Sequence, residues 1–361
     1  METSGGLYFI SKGKQHHKQK GTNMNNSVVT RYPGNPILTA DDIPFEANLI
    51  FNAGVVKYHG RYIMLFRDDF NYTKKMFDDW AAGKGELHGP SCQIGLAHSD
   101  DGFHWKPEPK PILNAEMASE FMGEPVAHAY DPRLTVIEDE FYFTFATNTC
   151  AGDNRCGLLK TKDFKHFEPV TATLPNNRNV LLFPEKIGGY YYRLERPFAG
   201  AVGDIWISRS PDLRFWGDHK RLLNRRTLSF CNSKIGPGAP PVRTDAGWLT
   251  LFHTVTEVKE ALYSWETPYH EWHSKYSMGL MLLDLNDPSK VIGIHDKALL
   301  EPEMKYELEG FRGSVLFPGS MIAEDDGSVK IYYGAADTVE CVATAKLDDL
   351  LALVTKEGKI Q

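Results

Sequence analysis

"DPRLTVIEDEFYFTFA" (residues 131–146) contains two strand-like runs separated by a polar turn, the second of them rich in aromatic residues. Such runs on either side of a short polar turn are typical of an antiparallel β-hairpin. Asp131 stands at the start of this hairpin, between a tyrosine and a proline, and Arg133 follows two residues later. Both charges are unusual at the mouth of an otherwise apolar strand pair.

The same hairpin pattern recurs along the chain. Four other segments join an apolar strand to an aromatic-rich strand through a polar turn: residues 52–67, 181–196, 239–254 and 319–334. A second hairpin pattern, in which a strand is followed by Asp and an aromatic residue, comes after most copies, as in "IGLAHSDDGFHW" and "IWISRSPDLRFW". Each of the five units therefore supplies four strands.

Four-stranded units repeated around an axis are the blades of a β-propeller, an arrangement that leaves no long exposed sheet edge. The sequence thus predicts an all-β, five-bladed β-propeller. Residues 71–90 and 256–275, rich in aromatic residues, charges and helix formers, are its helical or loop insertions. A β-sandwich with long loops is the alternative, but it does not explain the shared register. Without βαβ alternation or a GxGxxG turn, a nucleotide-binding fold is not expected.

Residues 1–26 are polar and lack the apolar region of a signal peptide, so we expect a flexible extension or tag, followed by a single propeller domain at residues 27–361. The 361 residues carry a net charge of −7 without a Lys/Arg block, which argues against nucleic acid. No run reaches the length of a membrane span. Five widely spaced cysteines without a CxxC pair favour reduced thiols in the cytoplasm and argue against a metal site.

Charged and polar residues end the strands at matched positions of the repeat. Arg67, Arg196 and His253 close aromatic runs where packing alone would favour another apolar residue. Equivalent positions of propeller blades converge on one end of the central channel. Counting eight residues back from each turn gives the following matched positions: Asn52, Asp131, Leu181, Ala239 and Gly319. A solvated rim would explain any one charged strand end, but three at matched register favour a site.

Arg178, Lys234 and Asp337 lie in adjoining segments and would add to the same channel mouth. Several Arg, a Lys and a His together supply the donors that bind a phosphate oxyanion. Because the chain has no P-loop, that phosphate would be free inorganic phosphate rather than part of a nucleotide.

The segments that carry these residues include "FNAGVV", "LFRDD", "YDPRLT", "NRNVLLFPEKIGG", "LERP", "KIGPGAPPVRTDAGWL" and "GAADT". From Asn35 to Thr338 the chain resembles glycoside hydrolase family 130, the β-mannoside phosphorylases and related mannosidases, whose fold is a five-bladed propeller. The resemblance implies inverting phosphorolysis of a terminal β-mannosyl unit to α-mannose 1-phosphate and an acceptor sugar. Inorganic phosphate is then a co-substrate, and no cofactor is expected.

The resemblance also implies a role for each candidate residue. Asp131 would be the general acid, with its proton passing through a hydroxyl of the mannose. The expected phosphate ligands are Arg178, Arg196, Lys234, His253 and Tyr276. The expected mannose ligands are Asn52, Arg67, Asp69 and Asp337.

The acceptor sugar stays open. The two insertions lie where the acceptor would be bound, which is why its identity is open. A β-1,2-linked mannose disaccharide is favoured and β-1,4-mannosylglucose comes next. A β-mannoside hydrolase of the same fold and a non-catalytic carbohydrate-binding propeller are the alternatives. We also expect a homo-oligomer, dimer or larger, whose interface would use aromatic residues of the insertions: Trp80, Trp265, Tyr269 and Trp272.

Overall fold

The first and the last described strands of the chain meet in one sheet. The computed structural model describes residues 28–87, 89–149, 152–199, 202–267 and 270–356; the predicted extension at 1–26, Cys150 and Tyr269 lie outside the described residues. Strand β1 (Thr30–Arg31) runs antiparallel to a strand near the other end of the chain, with Arg31 opposite Ala343. This pairing closes the ring of sheets.

Five antiparallel sheets follow one another along the chain, as predicted for the five blades. Blade 1 contains β2 (Leu49–Tyr58), β3 (Arg61–Phe70), β4 (Ser91–Ser99) and β5 (Lys106–Pro107). Blade 2 contains β6 (Val126–Ile137), β7 (Glu140–Thr149), β8 (Asn154–Thr161) and β9 (Glu168–Ala172). Blade 3 contains β10 (Asn177–Leu182), β11 (Tyr191–Ala199), the short β12 (Val202–Gly203), β13 (Ile205–Ser210) and β14 (Gly217–Leu223).

Blade 4 contains β15 (Lys234–Pro237), the short β16 (Val242–Thr244), β17 (Gly247–Leu262), β18 (Trp272–Leu283) and β19 (Val291–Ile294). Blade 5 contains β20 (Leu316–Ala323), β21 (Ser328–Ala335) and β22 (Val339–Lys346), with β1 as its fourth strand. The helices are α1 (Lys74–Ala81), α2 (Ala115–Met122), α3 (Lys305–Leu308) and α4 (Leu347–Lys356), with 3₁₀ turns at Ala40–Asp42 and Arg225–Thr227. The fold is an all-β five-bladed propeller, which confirms the fold class predicted from the repeats.

The two insertions differ in structure. The first forms α1, whose N-cap is Thr73: the Thr73 hydroxyl accepts a hydrogen bond from the Met76 amide. The second has no helix in its described residues (256–267 and 270–275), because its ends continue the hairpin of β17 and β18, with Thr256 opposite Lys275 and Glu257 opposite Ser274. Pairing across the hairpin therefore outweighs the local helix propensity of this segment.

The hydrophobic core is divided among the interfaces between neighbouring blades. Phe143, Leu65 and Leu134 belong to the cluster between blades 1 and 2, and Trp248 and Phe183 belong to the cluster between blades 3 and 4. Apolar clusters also join blades 4 and 5 and blades 5 and 1. Because each blade is buried on both faces, the strand ends around the axis are left to carry polar residues.

A one-residue bulge interrupts the first strand of four blades. In β2, β6 and β10 the register shifts at Asn52, Asp131 and Asn179, which adopt left-handed backbone angles (φ of 56°, 51° and 60°). In β20 the shift occurs at Gly319. Asn and Asp tolerate this conformation better than most residues, and a bulge redirects the side chain that it carries. Since these first strands contact one another around the axis, the bulges aim polar side chains at a shared centre.

Candidate active site

The predicted acid lies at the centre of the bulged strands. Asp131 is buried, and its Oδ1 accepts hydrogen bonds from Asn52 Nδ2 at 2.9 Å and from Arg67 Nη1 at 3.0 Å. Burial favours the protonated form of Asp131, but the charges of Arg67 and Arg178 outweigh it and lower the pKa of the carboxyl group. Asp131 is therefore ionised in the free protein near neutral pH.

Arg67 joins two of the candidate carboxylates. Its guanidinium makes a two-bonded contact with Asp69, at 2.7 Å from Nε and 2.6 Å from Nη2, while Nη1 bonds Asp131. The rings of Phe51 and Tyr130 lie 4.4 and 4.9 Å from its carbon Cζ. These contacts hold Arg67 in one orientation, with its charge shared between the two acids.

Asp337 completes this group from blade 5. It follows β21 in a left-handed pair with Ala336, and its carboxylate lies 4.0 Å from Arg312 Nη1. Burial raises the pKa of Asp337 to about 6, although the charges of Arg312 and Arg67 oppose the rise. The structure thus brings together all four predicted mannose ligands: Asn52, Arg67, Asp69 and Asp337.

The predicted phosphate ligands come from blades 3 and 4. Arg178 on β10 lies directly opposite Arg196 on β11. Arg196 is almost fully buried, and its Nη1 lies 2.8 Å from His253 Nε2. The ring of Tyr276 stacks on His253 with centroids 6.0 Å apart, and Lys234 Nζ lies 5.4 Å from the Tyr276 centroid. The five residues are therefore neighbours.

No ion pair within the described ranges joins a carboxylate to Arg178, Arg196 or Lys234. The Nε atoms of Arg178 and Arg196 are buried, and neither has a hydrogen-bond partner among the described residues. Burial and the nearby charge of Arg178 lower the pKa of Arg196 to about 9. A buried cation without a counter-ion is costly, so this arrangement calls for a bound anion.

His253 is neutral in this cluster. Burial, and then the charges of Arg196 and Lys234, hold the pKa of His253 well below its ordinary value. Because a guanidinium can only donate, His253 Nε2 must accept from Arg196, which places the ring proton on Nδ1. That Nδ1 is buried without a partner in the described part of the chain. His253 therefore has one N–H group that is available to donate a hydrogen bond.

Asn179 lies beside the cationic cluster, and the sequence patterns did not predict it. Both polar atoms of its side chain are buried without partners, next to Arg178. Counting back from the turn predicted Leu181 at this position, which is wrong, because the loop between β10 and β11 (residues 183–190) is longer than the two-residue turn of blade 1. The signal was present in "NRNV", where an Asn follows the arginine.

A loop of blade 5 adds a second unpredicted group beside Asp337. The Arg312 guanidinium lies between the rings of Phe311 and Trp272, at 4.8 and 5.1 Å from their centroids, and its Nε pairs with Glu266 at 3.2 Å. Trp272 Nε1 donates to the Gly313 carbonyl at 2.9 Å. The second insertion therefore packs against the site of its own chain.

Trp265 also packs within the chain, against Phe77 of α1 and against Phe311. Trp80 is partly buried. These contacts do not test the predicted subunit interface, which stays a prediction. Among the described residues, no group of three or more His, Cys, Asp or Glu side chains is placed to hold a metal ion, and no described helix could cross a membrane.

Gly236 on β15 makes room for the cationic cluster. A Cβ at this position would lie 2.5 Å from His253 Cε1 and 3.0 Å from Arg196 Cδ. We expect Gly236→Ala to weaken phosphate affinity by roughly tenfold, because overpacking of a buried site costs about 1–3 kcal/mol. Calorimetric titration with phosphate measures the change. Gly217→Ala is the matched control, since nothing lies within 4 Å of its Cβ; equal affinities in both folded variants would contradict the prediction.

The sequence and the fold of this chain are similar to those of known proteins. The glycoside hydrolase family 130 model, described as β-1,4-mannooligosaccharide phosphorylase, matches residues 18–356. The β-1,2-mannobiose phosphorylase of Listeria innocua is 33% identical over 92% of this chain and 99% of that protein. The β-1,4-mannooligosaccharide phosphorylase of Ruminococcus albus is 34% identical, with 92% of each chain covered.

Among solved structures, the Listeria innocua β-1,2-mannobiose phosphorylase in complex with β-1,2-mannobiose has a TM-score of 0.75 and 31% identity, covering 91% of this chain and 99% of that one. Both the family match and the relatives extend over nearly the whole propeller. The chain belongs to glycoside hydrolase family 130.

Proposed function

We propose that this protein catalyses the inverting phosphorolysis of a β-mannoside. Inorganic phosphate displaces the acceptor sugar from a terminal β-mannosyl unit and forms α-mannose 1-phosphate. One observation carries the proposal: Arg178, Arg196 and Lys234 lie together around His253, with no ion pair to a carboxylate among the described residues, next to the buried acid Asp131. The phosphorylase names of relatives that match nearly the whole chain support it.

The cationic cluster favours phosphate over water as the nucleophile. An inverting enzyme that uses water needs a second carboxylate to activate the water. Phosphate is already an anion, so it needs positive charge and hydrogen-bond donors to hold it instead. Arg178, Arg196 and Lys234 supply the charge, and His253 and Tyr276 add donors.

Asp131 supplies the proton as the glycosidic bond breaks. The bond from the anomeric carbon to the glycosidic oxygen is lost, a bond to a phosphate oxygen forms, and the leaving oxygen takes the proton, which membership of the family implies is relayed by a mannose hydroxyl. Since Asp131 is ionised in the free protein, it must gain a proton before this step. Bound phosphate would offset the charge of Arg178 and raise the pKa of Asp131, which prepares the acid.

The assay is cleavage of β-1,2-mannobiose with and without phosphate. Release of α-mannose 1-phosphate only in the presence of phosphate supports the proposal. Phosphate-independent release of mannose would instead identify a hydrolase, and no cleavage of any β-mannoside despite binding would identify a carbohydrate-binding propeller.

The acceptor is proposed to be mannose, in β-1,2 linkage, with glucose in β-1,4 linkage second. Relatives of similar identity have names that specify different linkages, so the names alone do not decide between them. Reverse synthesis from α-mannose 1-phosphate with a panel of acceptors reports the linkage directly. We further propose a cytoplasmic homo-oligomer, dimer or larger, which light scattering would test.

Mannose binding should depend on pH through Asp337. Burial raises the pKa of Asp337 to about 6. As the pH falls below that value the carboxylate is protonated, and one of its two oxygens becomes an O–H donor instead of a hydrogen-bond acceptor. We expect mannose affinity to decrease as the pH falls through about 6. Calorimetric titration with mannose between pH 5 and 8 checks this.

Asp337→Asn is the control for this dependence. The variant should bind mannose more weakly and without the same pH dependence. Since the raised pKa means that the ionised carboxylate destabilises the fold, Asp337→Asn should also unfold at a higher temperature near neutral pH. If the variant shows the same dependence of mannose affinity on pH, Asp337 is not the group that causes it, and its role in sugar binding is contradicted.

A further inference from the structure

Arg133 lies on the propeller axis, and the mechanism above leaves it without a role. It follows Asp131 by two residues on β6, and only 3% of its surface is exposed. Its guanidinium donates to four backbone carbonyls: from Nη1 to Asn52 at 3.0 Å and Pro132 at 2.8 Å, from Nε to Gly238 at 2.7 Å, and from Nη2 to Pro318 at 3.2 Å. These carbonyls belong to blades 1, 2, 4 and 5.

A buried arginine normally pairs with a carboxylate. Among the described residues none is bonded to Arg133, and the nearby Glu340 does not replace such a partner. Burial raises the pKa of Glu340 to about 8, so that this group is largely protonated at neutral pH. Glu340 Oε2 accepts instead from the Ala53 amide at 3.1 Å, in the bulge of blade 1. The hydrogen bonds of the Arg133 guanidinium therefore go to backbone carbonyls, with no carboxylate bonded to it in the described part of the chain.

Three of the four bonded carbonyls belong to the first-strand bulges of blades 1, 2 and 5. Asn52 and Asp131 both hold left-handed backbone angles, which persist only where surrounding contacts enforce them. One nitrogen of Arg133 bonds both Asn52 O and Pro132 O, which sets the separation of the two bulges. The Asn52 side chain in turn bonds Asp131.

We propose that Arg133 is a positioning residue: it joins the bulges of blades 1, 2 and 5 and so fixes the orientation in which Asp131 gives its proton, by way of the mannose hydroxyl, to the leaving oxygen. The proposal rests on the proposed function, because it assigns a role in proton donation. Arg133 touches neither sugar nor phosphate in this role, and it acts through the backbone of Asn52 and Pro132.

The test compares leaving groups. Arg133→Lys keeps the charge, but one ammonium group cannot reach four carbonyls with the geometry of a guanidinium. For β-1,2-mannobiose we expect kcat to fall about tenfold or more, since small misplacement of a catalytic group can cost up to about 10²-fold. A β-mannoside with a nitrophenolate leaving group needs little acid assistance, so most of the loss should disappear with that substrate.

The double variant separates positioning from general damage. If Arg133 acts through Asp131, adding Arg133→Lys to Asp131→Asn should cause little further loss. Arg31→Lys is the control. Arg31 lies away from the site and pairs with Glu307 at a distance of 2.7 Å, so this change should affect stability without changing the leaving-group dependence.

Several outcomes would overturn the proposal. Equal losses with both leaving groups, full activity with both, or additive losses in the double variant would each reject a positioning role. Failure of both Arg133→Lys and Arg133→Gln to fold would show that Arg133 is needed for the fold itself, which also rejects it. Absence of phosphate-dependent cleavage in the wild-type protein would instead reject the proposed function.

Discussion

Asp131→Asn is expected to fold and to lose phosphorolysis by about 10²- to 10⁴-fold, the usual contribution of general acid catalysis. Asparagine fills the same space and can still accept a hydrogen bond from Asn52, but its amide group is not acidic enough to protonate the leaving group. Initial rates of α-mannose 1-phosphate release at saturating phosphate measure the loss. The effect should be on kcat, because phosphate and mannose are held by other side chains.

The lowered pKa of Asp131 predicts a modest cost in stability for the same change. The ionised carboxylate stabilises the fold above its ordinary pKa, and this contribution is lost as the pH falls through the lowered value. Near neutral pH the variant lacks the ion pair with Arg67 and should unfold at a slightly lower temperature. Asp204→Asn, at a buried acid that accepts from the Arg225 amide, is the control for removing a buried carboxylate. Near-wild-type turnover of Asp131→Asn would exclude Asp131 as the acid.

Arg178→Gln should lower kcat/KM for phosphate by roughly 10- to 100-fold. A hydrogen bond to a charged group contributes about 1.5–3 kcal/mol. The Nε atom of Arg178 is buried and has no hydrogen-bond partner among the described residues, so it is available to bind phosphate. At saturating phosphate the dependence of the rate on disaccharide concentration should change much less. Initial rates across a range of phosphate concentrations separate the two effects.

Arg209→Gln on the outer face of blade 3 provides a matched control, since Arg209 pairs with Asp218 there. It should leave the phosphate dependence unchanged. If Arg178→Gln lowers the rate equally at all phosphate concentrations, Arg178 contributes to chemistry or folding rather than to phosphate binding, and the proposed anion site would need other ligands.

Much of the fold could be predicted from the sequence because a β-hairpin is a local structure. Each of the five repeated segments carries its own strands and turn, so pattern alone predicted the number of blades. Both insertions were predicted to be helical or loop segments, and the first contains the helix α1. The second insertion forms extended strands instead, because cross-strand partners that are distant in sequence stabilise them.

The residues of the site also differ in whether the sequence could predict them. The residue types, together with the resemblance of the chain to a known family, predicted the mannose ligands and the phosphate ligands. The structure brings each of these two groups together. Asn179 and Arg133 were not predicted as site residues. The placement of the Asn179 side chain depends on the position of the bulge in β10, and that position shifts with the length of the following loop.

By itself, the sequence determined the repeat, the blade count and the chemical character of the strand ends, because these follow from neighbouring residues. Only the tertiary structure decided which side chains face one another across the axis. Closing five blades into a ring places a carbonyl of blade 4 and a carbonyl of blade 5 on the guanidinium of Arg133. Contacts of this kind depend on ring closure and on single-residue shifts in register, and neither has a local pattern in the chain.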